Sequence, residues 1–266
     1  MIDPNFWWLT PLLLALLIGL ICPTTGALLI TQRRILLANL LAHSVLPGLV
    51  LALAFELDPT IGGLISGLIG ALLAEKLNQQ FKGREEAAMN TVLAGFTALG
   101  VLLVPLLQAR VDLETILFGD LLAANSADLI RTCIATAALS VLLLSRYEDL
   151  VFIGIDPDGA IAAKRPVNQI RFLAIVITAL VVISAITAVG IVLVIALLCA
   201  PVLVHIEASS SLRSLMLRSA ATGLLLCGSG MTIAMVADLP PGPLIGVLCV
   251  VLLLAKSTAS QWNPSN

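Results

Sequence analysis

The sequence predicts an all-α integral membrane protein, a polytopic bundle of about eight or nine transmembrane helices forming one domain over residues 1–266, and three observations predict it. Hydrophobic residues make up 59% of the chain and charged residues 11%; a soluble domain carries about 25% charged residues, so the charge here is too sparse to cover a water-facing surface. The apolar residues gather into runs of the length that a bilayer core demands, about 20 residues per helix. None of these runs alternates apolar and polar residues as a barrel strand would. Helices, which satisfy their own backbone in lipid, remain.

Nine apolar segments can be marked, at about 7–30, 37–55, 60–77, 89–107, 127–145, 171–189, 191–206, 213–236 and 240–257. The first follows the acidic stretch Met1-Ile2-Asp3-Pro4. A cleaved signal would open on basic residues, so this segment is expected to stay in the protein. The second carries Asn39, His43 and Pro47-Gly48, and the third is rich in glycine, with Gly63 and Gly67, then Gly67 and Gly70, at spacings that let helix backbones approach closely. Between the fourth and fifth segments lies the longest outer loop, 108–126, in which 117–124 is expected to form a short interfacial helix. The region 146–170 is the most polar part of the chain, and Asp156-Pro157-Asp158 within it is a good helix-start pattern. Only Val189-Gly190 separates the sixth and seventh segments.

Alternating nine segments with the N-terminus outside places 12 of the 14 basic residues on the cytoplasmic side, leaving only Arg110 and Arg131 outside. The positive-inside rule then gives an N-out, C-in orientation. Acidic residues divide evenly and do not decide the matter.

Several function classes fall away. The net charge of −2 offers no basic patch for nucleic acid. Cys22, Cys133, Cys199, Cys227 and Cys249 all sit in apolar runs with no C-x-x-C spacing, so they read as packing residues. There is no G-x-x-x-x-G-K-[ST] loop, no H-E-x-x-H and no G-x-S-x-G elbow. The chain is therefore expected to bind no ATP or cofactor of its own and not to be an enzyme.

Polar residues inside spans are costly and mark function. Asn39 and His43 are four apart, on one helix face. At 1.5 Å per residue His43 lies about 12 Å beyond Ile35, near mid-membrane. Pro47-Gly48 follows and weakens the helix, as at many transporter sites. An imidazole suits zinc, iron or manganese, and an amide oxygen can add a weaker ligand. The competing reading is a histidine bonded to a neighbouring helix. His205, close to Glu207, reads as a helix-end residue. Asp120, Asp128 and Asp238 fall near the outer face, where Asp120 and Asp238 are placed to draw cations to a mouth.

Residues 36–53, LLANLLAHSVLPGLVLAL, resemble the second-span signature of the zinc/manganese/iron ABC-importer permease family (ABC-3 type). Further matches follow in order. Residues 111–129 resemble the family's outer loop, 156–167 its main cytoplasmic loop, 189–202 its seventh-span core and 238–243 the turn before its last span. The resemblance implies a type II importer fold in the plasma (inner) membrane. It implies a second permease copy, two cytoplasmic ATP-binding subunits and an extracytoplasmic metal-binding protein as partners. The transported ion would be manganese or zinc, with iron a third choice, and His43 and Asn39 would line its path. The loop carrying Asp156, Pro157, Asp158, Ala160, Ala163 and Pro166 would couple to the ATPase, within a cytoplasmic region of about 146–170. Two positions depart from the family pattern. Asn39 stands where Asp is usual, and Lys164 where Gly is usual. Two alternatives are a type II permease for haem, siderophore or cobalamin, and a stand-alone proton- or sodium-coupled carrier.

Overall fold

A computed structural model describes residues 8–81, 83–108 and 117–262. Residues 1–4, Lys82, Arg110 and the 111–116 part of the outer-loop resemblance lie outside the described residues. Among the described residues there are nine helices and no strand: α1 (Leu9–Thr31), α2 (Ile35–Ala54), α3 (Pro59–Gln80), α4 (Glu85–Leu106), α5 (Ser126–Ile155), α6 (Pro157–Ala162), α7 (Val167–His205), α8 (Leu212–Ala237) and α9 (Pro241–Trp262). Eight are long and apolar enough to cross a membrane, α6 being the exception. The protein is a multi-pass membrane protein with the predicted helical fold.

The loops define two poles. The α1–α2 turn, the end of α3 and the start of α7 meet at one of them, where Arg34 pairs with Glu75 at 3.2 Å and Arg34 and Arg171 share a crevice with Gln32. At the opposite pole Arg131, near the start of α5, reaches Asp58 at 2.6 Å and Asp128 at 3.2 Å. That bridge ties the α2–α3 turn to α5. Side-chain caps close the starts of α3 and α5. Asp58 accepts from the Thr60 N–H ahead of Pro59, and Asn125 and Asp128 form a capping box, each cap contributing on the order of 1 kcal/mol.

α7 is 39 residues long, about 58 Å if straight, nearly twice a bilayer core. It is not straight. Gly190 breaks it at φ 78°, ψ 164°. The break lies against Gly119 and the Leu117 carbonyl, at the pole that holds Asp120 and Asp238. Both ends of α7 return toward the basic pole. Ile170 and Arg171 sit beside Gln32 and Arg34, and Leu212, just past the other end, shares a cleft with Thr31 and Tyr147. The chain therefore reverses at Gly190, and the sixth and seventh segments marked in the sequence are two crossings. The glycine is required twice over: its φ and ψ are open only to glycine, and a Cβ would collide with the Gly119 backbone.

Residues 117–124 depart from the expected interfacial helix. Helical backbone ends at Phe118, Gly119 turns left-handed at φ 69°, and Asp120 and Leu121 accept turn bonds from Ala123 and Ala124. The reason is tertiary: Gly119 is seated on Gly190, and Leu121 is buried.

Small residues set how closely the helices approach. Among the tight contacts are Gly26 on the Leu198 carbonyl between α1 and α7, Gly48 on Gly62 and Gly70 on Ser44 between α2 and α3, Gly100 on Leu46 and Pro47 between α4 and α2, and Gly19 on Gly223 between α1 and α8. Gly67, central to both predicted spacings, makes only ordinary side-chain contact, and Gly95 faces open space. The buried cysteines Cys22, Cys227 and Cys249 lie in the packed core and are free thiols, as packing residues should be.

Replacing Gly190 by Ala is expected to lower the thermal midpoint of the detergent-purified protein, because the backbone alone costs on the order of 1–3 kcal/mol. Gly95→Ala, at an open helical site, should hold or raise the midpoint. Equal midpoints for the two variants would show that Gly190 does not hold the reversal.

Candidate functional site

Hydroxyls inside the spans are mostly satisfied locally. Thr24, Thr97, Thr136 and Ser229 each donate to the carbonyl four residues back, at 2.6–2.8 Å. An imidazole cannot fold back in this way. His43 Nδ1 is buried and has no hydrogen-bond partner.

The backbone beside it is also open. Pro47 lies inside α2 and has no N–H, so the His43 carbonyl lacks its helical donor. Ser44, the next residue, turns elsewhere. It is fully buried on the α3 side, where its carbonyl accepts from Ser66 Oγ at 2.6 Å and its hydroxyl lies against Gly70.

α2 is among the most buried helices in the fold. From Leu36 to Val50 every residue is buried except Leu36, Asn39 and His43. Those three stand at i, i+3 and i+7, one stripe of the helix. The two polar side chains of this stretch that are not sealed in the core thus share the one open face. The sequence reading that set Asn39 and His43 side by side holds geometrically.

At the opposite pole Asp120 and Asp238 line a single cleft of about 600 Å³ with Phe118, Gly119 and the 240–243 turn. Both carboxylates are exposed. Asp120 Oδ1 accepts from the Ala123 N–H at 3.1 Å, and Asp238 closes α8 in the left-handed conformation at φ 55°. The structure does not bring these acids to His43. Among the described residues no group of three or more His, Cys, Asp and Glu side chains could hold a metal.

His205 ends α7 and its Nε2 lies 2.7 Å from Thr222 Oγ; around it, Lys256 bonds the Leu203 carbonyl and Glu207. It is a satisfied helix-end histidine.

The polar loop after α5 is built on one buried acid. α5 breaks at Arg146, and Asp149, a turn later, pairs with Arg146 at 3.5 Å and Arg165 at 2.9 Å. Asp156 caps α6 by accepting from the Gly159 N–H at 2.8 Å. Lys164 follows at φ 55°, a left-handed position where glycine is the default. Asp156, Pro157, Asp158, Ala163 and Pro166 are exposed. Ala160 is not: it is 0% exposed and faces the bundle. Its side chain packs α6 onto the bundle rather than facing outward. The outward apolar residues are Ile155, 79% exposed, and Ile161, 60% exposed. Sequence reasoning missed both: Ile161 lies in a six-residue helix that shows no periodicity from which to choose its faces, and Ile155 is the last residue of α5.

A family model described as the ABC 3 transport family matches residues 7–260. A manganese transport system membrane protein of Halalkalibacterium halodurans is 30% identical over 90% of this chain and 82% of its own. A membrane protein of Cyanophora paradoxa, described as uncharacterized, is 33% identical over 88% of this chain and 78% of its own. The solved structure of PsaBC from Streptococcus pneumoniae, in complex with Fab, superposes with a TM-score of 0.84 at 26% identity, over 94% of this chain and 90% of that one.

Lysine substitution separates the two alanines of the polar loop. Ala160→Lys buries an unpaired charge and should cost several kcal/mol, seen as lost yield of folded protein in detergent. Ala163→Lys, on the exposed side, should purify like the wild type. Equal yields would contradict the assigned facing of α6.

Proposed function

The chain belongs to the ABC 3 transport family, and from that premise we propose that it is the permease subunit of an ATP-driven importer for divalent transition metal ions, manganese, iron or zinc. The observation that carries the reading is the open stripe of α2. Lipid against Asn39 and His43 would leave polar groups unpaired, which is expensive. A second copy of the chain, meeting this face across a two-fold axis, would turn two half-sites into one site with two imidazoles and two amide oxygens. Such a set suits manganese, iron or zinc. It also accounts for why the described residues of one chain hold no complete ligand cluster.

The basic pole is then cytoplasmic by the positive-inside rule. Two ATP-binding subunits dock there on α6 and its surroundings, with Asp156, Asp158, Ile161, Ala163 and Pro166 as contacts. Ala160 and the Asp149 pairs hold α6 rigidly to the bundle, so a push on α6 is transmitted to α5 and α7. At the outer pole Asp120 and Asp238 attract the cation released by a metal-binding protein. ATP closure of the partner subunits tilts the spans and moves the open side of the pathway from outside to inside.

Asn39 makes this site less negative than a carboxylate would. A neutral amide attracts a dication less strongly and lets it leave more readily.

The test is uptake of radiolabelled manganese, iron and zinc by cells expressing each variant at matched membrane levels. His43→Ala should assemble normally, since Ala favours the helix, and lose roughly tenfold or more of its uptake, as metal sites do when their ligand shell is cut. Asn39→Asp should alter the order of preference among the ions, because tighter binding also slows release. Wild-type uptake by His43→Ala would reduce the residue to a packing histidine.

A further inference from the structure

A polar cleft at the basic pole plays no part in the metal pathway. It holds about 490 Å³ and lies where the α1–α2 turn meets the start of α6 and the first turn of α7. Arg33, Arg34 and Arg171 line it with Thr31, Gln32 and Pro157, and no acidic side chain is among its lining residues. A dication entering it would meet guanidinium groups and no carboxylate.

The three arginines are unequally engaged. Arg34 is held by Glu75. Arg171 lies within Coulombic reach of Glu75 and Asp158, yet its Nε is buried without a hydrogen-bond partner. Arg33 stands at φ 57°, at the turn where the Arg33 and Arg34 N–H groups close α1 on the Ile30 and Leu29 carbonyls. That position favours glycine. The closure itself calls for a left-handed residue, and an arginine there carries strain that a glycine would not.

Guanidinium groups match phosphate oxygens, often in pairs of parallel bonds. Basic pockets at the ends of membrane helices take phosphate headgroups. The rim suits an amphiphile as well: Ile155, a lining residue, is 79% exposed. We infer that this cleft is a binding site for a phosphate group, presented by an anionic lipid or as the free ion, with Arg171 and Arg33 as its free ligands and Arg34 held in register by Glu75. The inference stands independently of the metal reading.

The experiment uses the full chain in detergent, as wild type, Arg171→Gln and Arg33→Gly. Binding is followed by native mass spectrometry and by the thermal midpoint, since a ligand of the folded state raises it. Phosphatidylglycerol, phosphatidylcholine and inorganic phosphate are compared. Phosphatidylglycerol should stay bound to the wild type and raise its midpoint, and each variant should bind it roughly fivefold more weakly. Arg33→Gly relieves the strained turn, so without added lipid it should be at least as stable as the wild type, which separates lost ligand from lost fold. A shift reproduced by inorganic phosphate, in competition with the lipid, assigns the free ion; a shift from phosphatidylglycerol alone assigns the headgroup. Equal binding of phosphatidylcholine and phosphatidylglycerol, or wild-type phosphatidylglycerol affinity in both variants, would overturn the site.

Discussion

The constraint on which the candidate site depends is the close approach of neighbouring helices to α2. Gly62 and Gly70 bring α3 against Gly48 and Ser44, and Gly100 brings α4 against Leu46 and Pro47. Without a hydrophobic drive between helices in lipid, such small-residue contacts supply the packing that holds a bundle. Their consequence is geometric. Between Leu36 and Val50 they leave open only the stripe of Leu36, Asn39 and His43. Polar side chains placed on any other face would be locked in the core; on this one they can meet a partner or a passing ion.

A second constraint acts at the poles. The reversal at Gly190 sets the two halves of α7 beside α1, with Leu198 against Gly26, and fixes the 117–124 turn through Gly119. At the other pole the buried Asp149 ties Arg146 and Arg165 together. The pole at Gly190 is thus fastened by backbone contacts together with the Arg131 bridge to Asp58 and Asp128, and the other by charge. Both fastenings bear on α5 and α7, the helices that flank α6.

The helical membrane fold was legible in the sequence because it depends on composition and run length, which are local properties. Nine crossings could be counted from the apolar runs alone, and Val189-Gly190 marked the reversal although the two halves are nearly continuous. Asn39 and His43 stood out because polar residues are rare and costly inside spans. What failed to show was non-local. The 117–124 segment has helical composition, but Gly119 is held by Gly190, a residue far along the chain. Ala160 and Ala163 are chemically identical, and only their tertiary setting decides that one is sealed and the other open. Lys164 and Arg33 occupy left-handed positions that no glycine announced.

The central claim is that the open stripe of α2 faces a water-filled ion path rather than lipid. Accessibility of a cysteine to a charged, membrane-impermeant thiol reagent tests it most directly, in the protein reconstituted in liposomes and read against the wild-type background. Asn39→Cys should be modified, and manganese should slow the modification. Leu102→Cys, exposed on α4, should stay unmodified. An Asn39→Cys variant as inert as Leu102→Cys, with or without manganese, would contradict the account.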